Sequence, residues 1–240
     1  MGADRSSSRS SARRVAEAPG GDAWVAGSVA WARILDAARQ LVSRHGWETL
    51  AVGELCLASG TSRREFDEEF GGGVEDVLLE LFQAELGRFR ERMARAYREG
   101  HEQGWTEAIR GALYELLSAI DDDPGMARFL LVGSLSGSQA LRATRCEALR
   151  RLAIALERER PQTGEGALDA PFGGEAVVGA VVSILHARLL EDPVPEMKAL
   201  CGPLMGVTVL PYLGAGAARG EVARVQSGTG AARGGSSRGG

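Results

Sequence analysis

The 240-residue chain is 44% apolar and carries a formal net charge of −4, which gives enough apolar material for a small domain and a larger one. That balance excludes a generally basic, non-specific nucleic-acid coat. Cys56, Cys146 and Cys201 are odd in number, far apart and without Cys or His at ligand spacing; a disulfide scaffold and a zinc site are excluded, and three buried thiols are expected.

Residues 1–27 are Ser, Arg, Gly and Ala with little to bury, and a disordered basic tail is expected there. The opening Met1-Gly2-Ala3-Asp4-Arg5-Ser6 formally meets a myristoylation pattern, read here as incidental to a Ser/Arg-rich stretch. No apolar signal core follows. The longest apolar run, Val177 to Leu190, is interrupted by Ser183, His186 and Arg188 and falls short of the ~20 residues of a membrane span. A cytoplasmic location is expected.

From about Ser28 to His45 the residues Ile34, Ala38, Leu41 and His45, with Leu35 and Val42 beside them, recur at helical intervals and stop at Gly46. A second short set, Val52, Leu55, Cys56 and Ser59, ends at Gly60, which can take the left-handed conformation of a sharp interhelix turn. Thr61 or Ser62 then caps a third helix that bears Arg63 and Arg64 near its start, with Phe66 and Phe70 beneath. Two helices joined by a Gly turn, the second presenting arginines, suit the DNA major groove, because the helix fits the groove and Arg forks match guanine edges or phosphates.

The runs A-A-x-x-L-x-x-x-G at Ala37 to Gly46, V-x-x-L-x-x-x-x-G-T-S at Val52 to Ser62 and R-R-x-F-x-x-x-F at Arg63 to Phe70 resemble the N-terminal domain of the tetracycline-repressor family of transcriptional regulators. Val177 to Leu189 and Gly202 to Gly214 resemble the C-terminal helices of one subgroup of that family. The resemblance implies an all-α fold: a helix-turn-helix head at 28–73, and a helical effector-binding and dimerisation domain at 74–214. It also implies a homodimer on a pseudo-palindromic operator, released by a small apolar ligand.

The departures are specific. Where the family has Thr before the Val of its second helix, this chain has Ala51, and where it has Tyr after the recognition-helix Phe, this chain has Asp67. Gly71-Gly72-Gly73-Val74 replaces the family's basic residue at the start of the fourth helix. From Ser28 to Gly73 five arginines face seven carboxylates, a formal −2. Phosphate neutralisation supplies much of DNA affinity, so weak or salt-sensitive binding is expected unless Arg5, Arg9, Arg13 and Arg14 contribute as a basic arm.

Beyond the glycines, Val77, Leu78, Leu81, Phe82, Leu86, Phe89, Met93 and Tyr97 predict one long helix to Gly100. A fifth runs from Trp105 to Ile120. It is stopped by Asp121-Asp122-Asp123-Pro124, where Asp123 is expected to cap the next helix and Pro124 to begin it. Met126, Phe129, Leu130 and Val132 mark a sixth helix, and Leu141, Arg145, Leu149, Leu152 and Leu156 a seventh; Gly164 to Gly174 reads as a loop. The eighth, about Glu175 to Leu190, is apolar nearly all round, and the ninth, about Pro195 to Leu213, is expected to kink at Pro203. Pairing these two with their copies in a second protomer would cover both. Residues 215–240, rich in Gly, Ala, Ser and Arg, are expected to form a second disordered tail.

No nucleophile, base and acid set, phosphate-cradling loop or metal cluster can be assembled, so the reading is a non-enzyme without a cofactor. The expected DNA-facing residues are Thr61, Ser62, Arg63 and Arg64, with Arg44 and His45 near phosphate. Phe89, Met93, Trp105, Leu113, Tyr114, Leu117, Met126, Phe129 and His186 are the residues expected near an apolar pocket. The alternative is a dimeric small-molecule-binding or protein-interaction module whose head has weakened or lost its hold on DNA.

Overall fold

The computed structural model describes residues 28–161 and 173–233, with side chains through Arg224. The N-terminal arm, most of the 164–174 loop and residues 234–240 lie outside the described residues. Among those described, the chain is all-α: nine helices and no strand. Contacts divide it into two units, residues 1–81 and 82–240, with the boundary inside the fourth helix.

In the first unit, α1 (Val29–His45) starts at Ser28, whose hydroxyl accepts from Trp31 N at 3.1 Å, and ends at Gly46 with φ 83°. Its buried stripe is Ile34, Leu35, Ala37, Ala38 and Val42, while the predicted Leu41 is half-buried and His45 exposed. Helix α2 (Val52–Ser59) begins at Ala51, which makes no side-chain cap, and ends at Gly60 in the left-handed conformation, φ 61°. Helix α3 (Arg63–Glu69) lays Phe66 and Phe70 into the core, their rings 5.7 Å apart. The long α4 (Val74–His101) follows.

In the second unit, α5 (Trp105–Asp122) packs antiparallel on the last turns of α4 through two glycines. A Cβ on Gly100 would stand 2.8 Å from the Glu107 carbonyl, and one on Gly111 3.0 Å from the Ala96 carbonyl. Asp123 caps α6 as the sequence predicts, accepting from Met126 N at 2.9 Å with Pro124 in the first turn. Helix α6 (Pro124–Arg128) runs on through a π-helical Phe129–Gly133 to Ser134–Ser136. Ser134 there donates to the Leu130 carbonyl at 2.6 Å. Then come α7 (Gln139–Glu159), α8 (Gly173–Leu189), a 3-10 turn (Met197–Leu200) and α9 (Cys201–Arg233). The Asp121 carboxylate accepts from Met197 N and Lys198 N at 2.7 and 3.1 Å, so this member of the acidic triplet holds the start of that turn.

The main core gathers Leu113, Leu117 and Ile120 from α5, Leu185 and Leu189 from α8, and Leu204, Met205 and Val209 from α9. Leu156, Val177 and Tyr212 form a smaller cluster, against which Trp105 and Ile109 pack.

Two expectations about the C-terminus are corrected. Pro203 does not kink the last helix: it lies in the first turn of α9, where no intrahelical N–H is required of it. The break comes at Gly214 (φ 78°, ψ 176°), three residues after Pro211. Beyond it the chain is helical to Arg233, where a disordered tail from residue 215 was expected, and it turns back onto its own first half. A Cβ on Gly206 would stand 2.9 Å from Val222 Cγ2, Ala218 joins the main core, and Glu221 is buried. The segment Met197–Arg224, with mean hydropathy 1.4, is long and apolar enough to cross a membrane by length and composition. Here the segment is broken at Gly214 and folded back, and a little under half of it, 44%, is buried. The thiols are corrected too: Cys201 is buried, Cys56 half-buried and Cys146 exposed.

Candidate nucleic-acid interface and effector domain

The turn between α2 and α3 is built by four residues. Gly60 supplies the positive φ. Arg33 of α1 reaches across and donates through Nε to the Ser59 carbonyl at 2.8 Å, and through Nη2 to the Ser59 and Gly60 carbonyls. These are carbonyls that the end of α2 leaves without helical partners. Ser59 Oγ and Thr61 Oγ1 are 2.6 Å apart and buried, with Ser59 donating to the Leu55 carbonyl.

Thr61 is therefore withdrawn from the exposed set, 7% accessible, its hydroxyl turned into the head. Ser62 is the N-cap of α3. Its hydroxyl accepts from Glu65 N at 3.2 Å, and its own N–H donates to Glu65 Oε2 at 2.6 Å, a complete capping box. The Ser62 backbone N–H, with the hydroxyl second, holds the Glu65 carboxyl below the usual range. Ser28, besides capping α1, donates to Glu69 and ties the end of α3 to the start of α1.

Arg63 and Arg64 are the exposed cations of α3, 70% and 88% accessible. Arg63 Nε donates to Asp67 at 2.9 and 3.0 Å, and Arg64 Nε to Glu68 at 2.9 Å. Those hydrogen bonds raise both guanidinium pKa values. Arg44 and His45 are exposed at the end of α1. A shallow open groove lies between α1 and the end of α2, lined by Val29, Ala32, Asp36, Gln40 and Ala58.

The effector candidates separate by burial. Leu113, Leu117, Met126 and Phe129 are core residues, and Phe89 and Trp105 pack partly buried against that core. Phe129 meets the Phe82 ring edge to face at 6.2 Å. Met93 and His186 are half-buried. Tyr114 is 48% exposed, on the outer side of α5, which moves it away from the interior expected for it.

Residues outside the predicted set complete the interior. Tyr212 stands edge-on to Trp105 at 5.5 Å and donates to Glu157 Oε1 at 2.9 Å, which also accepts from Gly174 N at 2.5 Å. Burial, with Glu157 second, pushes the Tyr212 phenol up. The buried Trp105 Nε1 has no hydrogen-bond partner among the described residues. The Tyr97 phenol lies near the Glu159 carboxylate, and burial first, with that charge second, pushes it up.

No protein-family model and no curated protein matches the chain. Solved structures do. The fatty acid degradation regulator FadR of Bacillus halodurans superposes with a TM-score of 0.62 at 21% identity, over 77% of this chain and 96% of that one. The transcriptional regulator FadR of Bacillus subtilis, in complex with stearoyl-CoA, gives 0.61 at 20% identity over 77% and 98%. A tetR-family regulatory protein of Rhodococcus RHA1 gives 0.58 at 12% identity over 78% and 98%. The fold is that of the tetracycline-repressor regulators. At these identities the likeness is one of fold. The Arg33 clamp carried no signal beyond a basic residue on α1, because its partners are backbone carbonyls.

Proposed function

We propose that the chain is a homodimeric DNA-binding transcriptional regulator, a repressor released from its operator by a small apolar ligand. The observation that carries this reading is α3 itself. A complete capping box and the Arg33-clamped left-handed turn hold a short helix whose exposed side presents Arg63 and Arg64. Arg44 and His45, exposed at the end of α1, would serve as phosphate contacts. The fold shared with transcriptional regulators supports the reading.

For the dimer, α8 leaves Ala176, Gly179, Ser183 and Ala187 exposed on one side, and α9 leaves Leu210 46% exposed. Small residues let two helices approach closely, and a twofold would bury this face against its copy. For the effector, the buried Trp105 indole donor fits an apolar molecule bearing a hydrogen-bond acceptor. The stearoyl-CoA held by the Bacillus subtilis structure makes long acyl chains the class to test first.

The head's formal −2 favours a second reading, a dimeric ligand-binding or interaction module without DNA. One experiment separates the two: anisotropy binding of the full chain to DNA flanking its own coding region and to a scrambled duplex, across a salt series. Preference for the native fragment at near-physiological salt, one dimer per site, followed by release with stearoyl-CoA, is expected for the repressor. Equal, feeble, salt-labile binding to both duplexes, with no site recovered from a random-sequence selection, is the outcome of the second reading.

A further inference from the structure

The carboxylates of α3 stand where helix energetics disfavours them. Asp67, Glu68 and Glu69 crowd its last turn and Arg63 and Arg64 its first, the reverse of what the helix dipole rewards. The i,i+4 order, with Arg N-terminal to the acid, is also the weaker orientation for stabilising a helix. Helix stability therefore gains little from these pairs.

Their geometry does suit another task. Asp67 and Glu68 each engage their arginine through Nε, the donor on the inner edge of the guanidinium. The terminal Nη groups of Arg63 and Arg64 have no partner among the described residues, and both side chains are largely exposed. A guanidinium tethered at Nε keeps its outer N–H fork free, and the contact biases the direction in which that fork points. Guanine presents two adjacent acceptors, O6 and N7, in the major groove, and an end-on fork matches them. A swinging arginine, by contrast, serves any phosphate within reach. Each tethering carboxylate also cancels its arginine's charge, and charge drives sequence-independent binding.

We propose that Asp67 and Glu68 are positioning residues that hold Arg63 and Arg64 as end-on forks for guanine edges and suppress binding to non-cognate DNA. This rests on the DNA-binding reading above. The departure at Asp67 from the family's usual aromatic residue is then a trade of a phosphate contact for control of an arginine.

The test uses the full chain. A site is first selected from a random duplex library. Affinities are then measured for that duplex, for copies with each guanine replaced by adenine, and for a random duplex, across a salt series. Asp67→Ala and Glu68→Ala are expected to bind the random duplex more tightly and to steepen the salt slope by about one for each carboxylate removed. The preference for guanine over adenine at one position should fall about tenfold. Asp67→Asn, which keeps an acceptor for Nε without the charge, should restore the guanine preference while keeping the raised random-duplex affinity. A purely structural role would move thermal stability and leave the guanine preference alone. Unchanged preference in both alanine variants, or Asp67→Asn behaving as Asp67→Ala, overturns the proposal. A selection that returns no site overturns the DNA-binding reading itself, and this inference with it.

Discussion

Arg110 on α5 and Glu221 beyond the Gly214 break lie 111 residues apart in sequence and form a salt bridge, 18% and 8% accessible. Glu107 accepts from Arg110 at 3.1 Å and from Arg224 at 2.6 Å, so two arginines and two carboxylates alternate across the returning helix. Removing one partner of a buried pair leaves the other charge desolvated. Glu221→Ala is expected to cost about 3 kcal/mol, the low end for such pairs because Arg110 keeps Glu107. Urea unfolding measures it, and a cost near zero would mean that the Arg110–Glu221 pair contributes nothing net to stability.

The same network sets an acid limb. The Arg224 hydrogen bond first, and Arg110 after it, hold the Glu107 carboxyl below its ordinary 4.5. A carboxyl with a lowered folded pKa contributes stability that is complete above the unfolded value and is lost as pH falls through the folded one. The stability gap between the native chain and Arg224→Ala should therefore be widest near neutrality and narrow progressively below about pH 4.5. Denaturation midpoints from pH 7 to pH 3 check this, and a gap independent of pH would refute it.

Ala51 occupies the N-cap of α2 in extended conformation, φ −125° and ψ 149°, with no side chain able to accept from the first turn. Ser or Asp fits that backbone. Ala51→Ser should stabilise the head by about 1 kcal/mol, read as a raised melting temperature.

Gly60 carries two constraints at once. Its φ of 61° disfavours a side chain, and a Cβ would stand 2.8 Å from Arg33 Nη2. Gly60→Ala should cost about 1–2 kcal/mol from the backbone alone and more from displacing Arg33. In an Arg33→Ala background the second part vanishes, so a double-mutant cycle should show coupling of about 0.5 kcal/mol or more. Strict additivity would mean the clamp does not feel the substitution.

The head was legible because its signals are local. Helical spacing, a Gly stop and a Ser cap with Glu three residues on each act within a few residues, and Ser62, Gly60, Phe66 and Phe70 stand as the spacing predicts. Thr61 was not legible in the same way. A hydroxyl beside a cap can turn outward or inward, and the Ser59 hydroxyl 2.6 Å away decides it. Tyr114 follows the same logic: among many large apolar residues on α5, periodicity does not tell which side its neighbours leave uncovered. The returning segment after Gly214 was missed because small residues such as Ala218 and a single Glu221 bury it, with no stripe of Leu or Val to announce a helix. Cys146 shows the converse, since a residue type usually buried here faces water.

The crossing of α4 and α5 at Gly100 and Gly111 brings main chain against main chain, with no side chains between to yield. Side-chain interfaces can slip by exchanging rotamers, whereas a backbone contact of this kind has no such slack. The distal turns of α4 and the first turns of α5 are thereby packed at backbone distance. A single methyl added at either glycine would meet a carbonyl of the facing helix and force the two main chains apart.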